Sequence, residues 1–348
     1  MMPALTARKH HRGYSLVELM IGMLLGIMLI AGAVSVYLAS KRSFVEVEQV
    51  AALSENARFA EQLIVDSLRH VGFLGETTAG RVDRAPDLNL AVVGDCSGLA
   101  GVYDFATDIF ADVVDASNNA IGCIDDGVIG TDVLVIKHAV PQAYTDGPRG
   151  AKDPNNPTHN DGTIDSPTAL SAQRTYIMTN NIRGLVFDGA DPHPTIVTGG
   201  DVPDGVAWEY RFEVYYVRRP VAGSNRPPRL ARKVLAWDGA AMAVLTEDVV
   251  EGVERLRFLF GVDTDGNGEV DTYENESGLS SAADWANVVS VELFMLLRGA
   301  EPDAQYTDTK SYVLANDPPY VPNDNVRRLL TQTSISLRNI KLIIRGGA

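Results

Sequence analysis

The chain has 348 residues, 45% of them hydrophobic and 22% charged, enough to build a large folded core and too apolar for a disordered chain. Its formal net charge of −15 argues against nucleic-acid binding, which rests on neutralising phosphates. Two cysteines, Cys96 and Cys123, are too few for a zinc site built on thiolates.

The first element is read from "RKHHRGYSLVELMIGMLLGIMLIAGAVSVYL". Arg8, Lys9 and Arg12 precede a run from Leu19 to Ser40 that carries no charge. Such a run makes roughly 30 Å of helix and crosses a bilayer core. The basic flank predicts a cytoplasmic N-terminus. A secretory signal would end in a small-residue cleavage site; here "VYLASKRSFVEVEQ" continues as amphipathic helix, with "LAS" the nearest approach to such a site. Gly22 and Gly26 have the small-xxx-small spacing that lets helices approach closely, although glycine is also common in membrane helices generally.

No proline lies between Pro3 and Pro86, so one helix is expected from Tyr14 to the glycines at 72 and 75. Phe44, Val47, Ala51, Ala57, Ala60, Ile64, Leu68 and Val71 recur at helical steps and predict one apolar face packed on a head domain.

Beyond Gly75 the reading changes to strands. "TDVLVIKHAV", "RTYIMT", "GLVFDG", "WEYRFEVYYVRR", "RLARKVLAW", "VERLRFLFGV", "NVVSVELFMLLRG" and "TSISLRNIKLII" are short runs rich in Val, Ile, Tyr and Phe, separated by Gly, Pro, Asn and Asp. Tyr210, Phe212, Val214 and Tyr216 alternate as on a half-buried strand. Few helical patterns lie between the runs, which favours antiparallel pairing. "LSSAADWANV" adds a turn of helix, and residues 144–168 read as a loop. The fold class is α+β: a long N-terminal helix, membrane-spanning over about 19–40 and then amphipathic, with a β-rich antiparallel head over 76–348.

Two constellations carry chemistry. Cys96 and Cys123 pair as a disulfide if the head lies in an oxidising compartment. Asp263, Asp265, Asn267, Gly268 and Glu274 in "DTDGNGEVDTYE" fit the spacing of a calcium loop. Glu269 would add its carbonyl, Asp271 a direct or water-bridged oxygen, and Glu274 a bidentate carboxylate to a structural Ca2+. The same residues also suit a plain acidic turn, and the strand before them rules out a helix–loop–helix hand. No G-x-S-x-G, H-E-x-x-H, Walker or Rossmann pattern occurs, so no enzymatic activity is expected.

The order of basic leader, Gly13, Tyr14, Ser15-Leu16-Val17-Glu18 and apolar run resembles the class III signal of type IV pilins and pseudopilins. Tyr14 stands where the family usually has Phe. "FGVDTDGNGEVDTY", "WANVVSVELFMLLRG" and "DNVRRLLTQTSISLRN" resemble the C-terminal region of PilW-type minor pilins, with Arg327, Arg328, Arg338 and Asn339 in the terminal motif, where they also read as strand-edge charge and capping. The resemblance implies that a prepilin peptidase removes residues 1–13 and methylates Tyr14. It implies that Glu18, an expensive carboxylate in a membrane, pairs with the α-amino group of a neighbouring subunit. It implies a protein that primes pilus assembly, anchored in the inner membrane with a periplasmic head and later at the pilus tip. Its partners would be other minor pilins, the major pilin and a tip adhesin. Two alternatives share part of this pattern: a J-type pseudopilin of type II secretion, and a membrane-anchored periplasmic calcium-binding or enzymatic domain.

Overall fold

The computed structural model describes residues 13–89, 91–116, 119–144, 170–196, 199–224 and 226–346. The expected loop at 144–168 falls outside them, Tyr144 apart, and so does all of the leader except Gly13. In chain order the elements are α1 (Leu16–Leu68), β1 (Val82–Arg84), β2 (Ile109–Val113), β3 (Asp132–Tyr144), β4 (Thr175–Thr179), β5 (Gly184–Asp188), β6 (Val206–Arg218), β7 (Arg229–Trp237), β8 (Met242–Glu251), β9 (Val253–Val262), β10 (Thr272–Glu274), α2 (Ala282–Ala286), β11 (Val288–Arg298), β12 (Arg328–Ser336) and α3 (Arg338–Gly346). The fold is α+β, as expected, and divides into two units, Met1–Ala52 and Leu53–Ala348.

The first unit holds the uncharged part of α1. Its aliphatic side chains, Leu19, Ile21, Leu24, Ile27 and Leu29 among them, are exposed, and the stretch is long and apolar enough to cross a membrane. Burial on α1 begins only at Leu53. Phe44 and Val47, read as part of the packed face, are 69% and 64% exposed. Periodicity tells which residues share a face, not where a partner surface starts.

In the second unit, Leu53, Ala57, Ala60, Ile64 and Leu68 of α1 share a core with Leu134, Tyr215, Val217, Phe258, Phe260, Val291 and Leu293. The two alanines let the helix backbone approach the sheets. The helix stops at Leu68, short of the expected glycines, and residues 69–75 turn. Gly72 and Gly75 have φ of +80° and +82°, and a Cβ on Gly72 would lie 2.6 Å from Ile340 Cδ1; both conditions require glycine.

One sheet runs β1-β5-β4-β6-β3-β2, with β7 and β8 added beside β6; the other runs β10-β9-β11-β12. Pairing is antiparallel except for β1 beside β5, which is parallel. β6 is a central strand buried on both faces, not half-buried as its alternation suggested: Tyr210, Phe212, Val214 and Tyr216 enter one core, while Tyr215 and Val217 enter the other with α1. Arg257 of β9 and Asp132 of β3 form a buried ion pair between the sheets, and Asp132 also accepts the Phe258 N–H at 2.7 Å. Burial pushes the Asp132 carboxyl up to about 7, against the pull of Arg257.

The end of "TSISLRNIKLII" is a correction. The strand ends at Ser336 and residues 338–346 are helical. Leu337, Ile340 and Ile344 lie three to four residues apart and pack on the α1 core, so helical spacing overrides the β-branched composition.

Candidate functional site

The expected assembly residues lie at the start of α1. Gly13 is exposed and Tyr14 is 88% exposed. Ser15 and Glu18 form a capping box: the Ser15 N–H donates to Glu18 Oε2 at 3.0 Å, and the Glu18 N–H donates to Ser15 Oγ at 3.3 Å. Sequence reasoning assigned Glu18 only an intermolecular partner; the spacing S-x-x-E could have revealed the local one. A Cβ on Gly22 or Gly26 would meet nothing within 4 Å, so both leave room for another helix.

The second unit fastens its share of α1 by polar contacts that the sequence did not reveal. Ser67 Oγ and Tyr215 OH are 2.8 Å apart, and Tyr215 OH donates to Glu213 at 3.4 Å. Arg232 donates to Glu213 at 3.0 Å, and His138 Nε2 lies 3.8 Å from it. Burial raises the Glu213 carboxyl, but the polar groups of His138 and Ser67 and the charge of Arg232 prevail and hold it at about 2. His70 stacks on His138 with ring centroids 5.2 Å apart. At the end of α1, Asn339 Nδ2 donates to the Val71 and Arg69 carbonyls at 3.0 and 3.4 Å, which supplies acceptor-side capping.

Of the terminal-motif residues, Arg328 is not a strand-edge charge. It is 1% exposed in its side chain and joins Glu254, Asp324 and Asp308 at 2.6, 2.7 and 3.4 Å. Its hydrogen bonds draw the Asp324 carboxyl down to about 2. Arg327 pairs with Asp303 at 3.1 Å, and Arg338 is exposed. Cys96 and Cys123 are joined as a disulfide, with Cα atoms 4.7 Å apart.

Of the six expected calcium ligands, Asp263, Asp265 and Asp271 bring oxygens within 4.8 Å of one another. Asp263 is buried and accepts the N–H groups of Gly266, Asn267 and Gly268 at 2.8, 3.2 and 2.7 Å. Against its burial, these hold its carboxyl below the usual range. Asp271 accepts from Thr264. The Asn267 side chain donates to Asp265 at 3.0 Å, while its carbonyl accepts from Arg345 Nε at 3.2 Å. Glu269 is exposed, and Glu274 lies on β10 opposite Phe260. The local turn and the three carboxylates fit a cation; Glu274 does not join them.

Two family models match the chain. Residues 8–34 match the prokaryotic N-terminal methylation motif, and residues 214–339 match type IV pilus-assembly protein W. These two matches support a PilW-type minor pilin. The second match runs from the middle of β6 to Asn339 and so takes in the Arg328 cluster and the acidic loop. A solved type IV-like pilin from Thermus thermophilus shares 14% identity with this pilin, over 49% of this chain and 86% of that one, with a TM-score of 0.23. No curated protein matches the pilin. The family makes it a structural component of a pilus system that interacts with other pilus components, and the methylation motif agrees with a membrane-anchored subunit.

Proposed function

We propose that this minor pilin primes type IV pilus assembly in the inner membrane and remains near the pilus tip, with no catalytic step of its own. The observation that carries the reading is Glu18, a lone carboxylate at the head of the exposed, uncharged stretch of α1. An ionised carboxylate inside a bilayer costs about 2.5–3.5 kcal/mol on insertion scales. The capping box engages one of its oxygens. The methylated amine of Tyr14 on a neighbouring subunit, exposed by cleavage after Gly13, suits the other and sets the axial register between subunits. The large head, residues 76–348, would crowd a shaft made of many copies, which supports a low-abundance subunit engaged with other minor pilins, the major pilin and an adhesin.

Glu18→Gln tests this cleanly, because glutamine keeps the capping box and removes the charge. The variant should insert in the membrane and leave few pili; normal pilus number would refute the pairing. Immunogold labelling spread evenly along each fibre would refute the tip position. Cleavage elsewhere than after Gly13, read by mass spectrometry of the mature N-terminus, would favour a plain membrane-anchored domain.

The acidic loop adds a structural role: Ca2+ held by Asp263, Asp265 and Asp271 would stiffen the turn between β9 and β10. A melting temperature that does not change with added calcium would exclude it.

A further inference from the structure

The outer edge of β12 leaves a long run of backbone unpaired. The register with β11 is unbroken from Ser290↔Ser336 to Arg298↔Arg328, with no bulge. Two flanking bonds, Leu337 N–H to Val289 O and Gly299 N–H to Arg327 O, both 2.9 Å, set the phase. Odd-numbered residues therefore bond to β11, and Leu330, Gln332 and Ser334 turn their N–H and C=O groups away from it. Among the described residues nothing bonds to those groups. Gln332 and Ser334 are exposed and Leu330 is half-buried.

The other edges carry the devices that stop sheets from pairing with strangers. β1 and β10 have three residues each, and β2 has five and includes Asp112. β8 bears Glu247, Asp248 and Glu251, its pairing is bulged, and Val93 bridges its far side at Ala243. β12 has none of these: nine residues, no proline, and no charge from Leu329 to Leu337. A regular edge of alternating donors and acceptors is completed by one chemistry, an extended peptide backbone.

We propose that β12 accepts an extended strand from a neighbouring pilin subunit, hydrogen-bonded along Leu330–Ser334. The partner strand would be uncharged and rich in Thr, Ser or β-branched residues, to match the Thr331, Gln332 and Thr333 side chains beside it. The inference rests on the reading that this protein assembles with other pilins, and it names the surface that does so.

The test separates the two. A benzophenone amino acid at position 332 is irradiated in pilus-forming cells, and the cross-linked peptides are mapped by mass spectrometry. In parallel, Gln332→Pro and Ser334→Lys are compared with Thr333→Pro in the full chain in detergent. Position 332 donates no bond to β11, so Gln332→Pro and Ser334→Lys should melt with the unaltered chain yet lose pili. Thr333→Pro removes a bond to β11 and should melt lower. The expected cross-link joins position 332 to a strand of another pilin. Cross-links only to a second copy of this chain, or none to an extended segment, would overturn the proposal. So would wild-type pilus numbers with both edge variants. A mapped cross-link with pili unaffected by deleting the gene would keep this contact and remove the priming role. No cross-link with pili abolished by deletion would do the reverse.

Discussion

Replacing Ile64 by alanine should separate the packed and unpacked parts of α1. Ile64 is fully buried in the core shared by α1 and both sheets. The substitution removes three carbons, about 0.8 kcal/mol each for transfer, and leaves a cavity that brings typical losses to 2–5 kcal/mol. Alanine returns a few tenths in helix propensity, so a net loss of about 3 kcal/mol is expected. For a unit of this size that lowers the melting temperature by roughly 5 °C. Phe44 has the same place in the sequence periodicity but is 69% exposed, so Phe44→Ala should change it by less than about 1 °C. Circular dichroism melts of the full chain in detergent compare the two directly. Equal losses would mean that the packed face extends to Phe44 and that the boundary at Leu53 is misplaced.

Three other outcomes follow from the head. Reducing the Cys96–Cys123 bridge, which closes a 27-residue separation, should cost about 3.5 kcal/mol in the chain-entropy model; an unchanged melt with both thiols labelled would contradict it. Glu213 is held at about 2 against its ordinary 4.5, so its stabilisation is complete above 4.5 and is lost as pH falls from there toward 2. That is about 3 kcal/mol by linkage, and Glu213→Gln should flatten this limb of an acid titration followed by circular dichroism. Asp132→Ala would leave Arg257 with Asp317 alone, 3.0 Å away, and the buried Phe258 N–H without its acceptor, and should cost about 1–3 kcal/mol. Denaturant melts showing under 1 kcal/mol would mean that the pair adds little.

What could be read in the sequence was local. The processing motif, the uncharged run and the cysteine pair each announce themselves within a few residues or by count. Strands β3 and β11 stood out as nearly continuous apolar runs, and β6 because Tyr210, Phe212, Val214 and Tyr216 alternate with Arg211 and Glu213. β8 did not, because Thr246, Glu247 and Asp248 break its run, and it is held as a strand by its ladder with β7. α3 was hidden by isoleucines that suit a strand equally well. Arg328 looked like surface charge because its partner Glu254 is 74 residues away, and the contact of Ser67 with Tyr215 spans 148. Composition cannot show such pairings; the sheets create them.

The Asn339 cap sets an order of events. It closes the end of α1 across separations of 268 and 270 residues, so the first element made is completed by the last. During synthesis the two carbonyls at 69 and 71 must stay solvated, and the buried stripe from Leu53 to Leu68 lacks its contacts with Val291, Leu293 and Ile335 until β11 and β12 exist. Contacts of such long range form slowly. The nascent chain therefore keeps part of the α1 stripe uncovered until the C-terminal strands are made. A docked α3 then marks the subunit as whole.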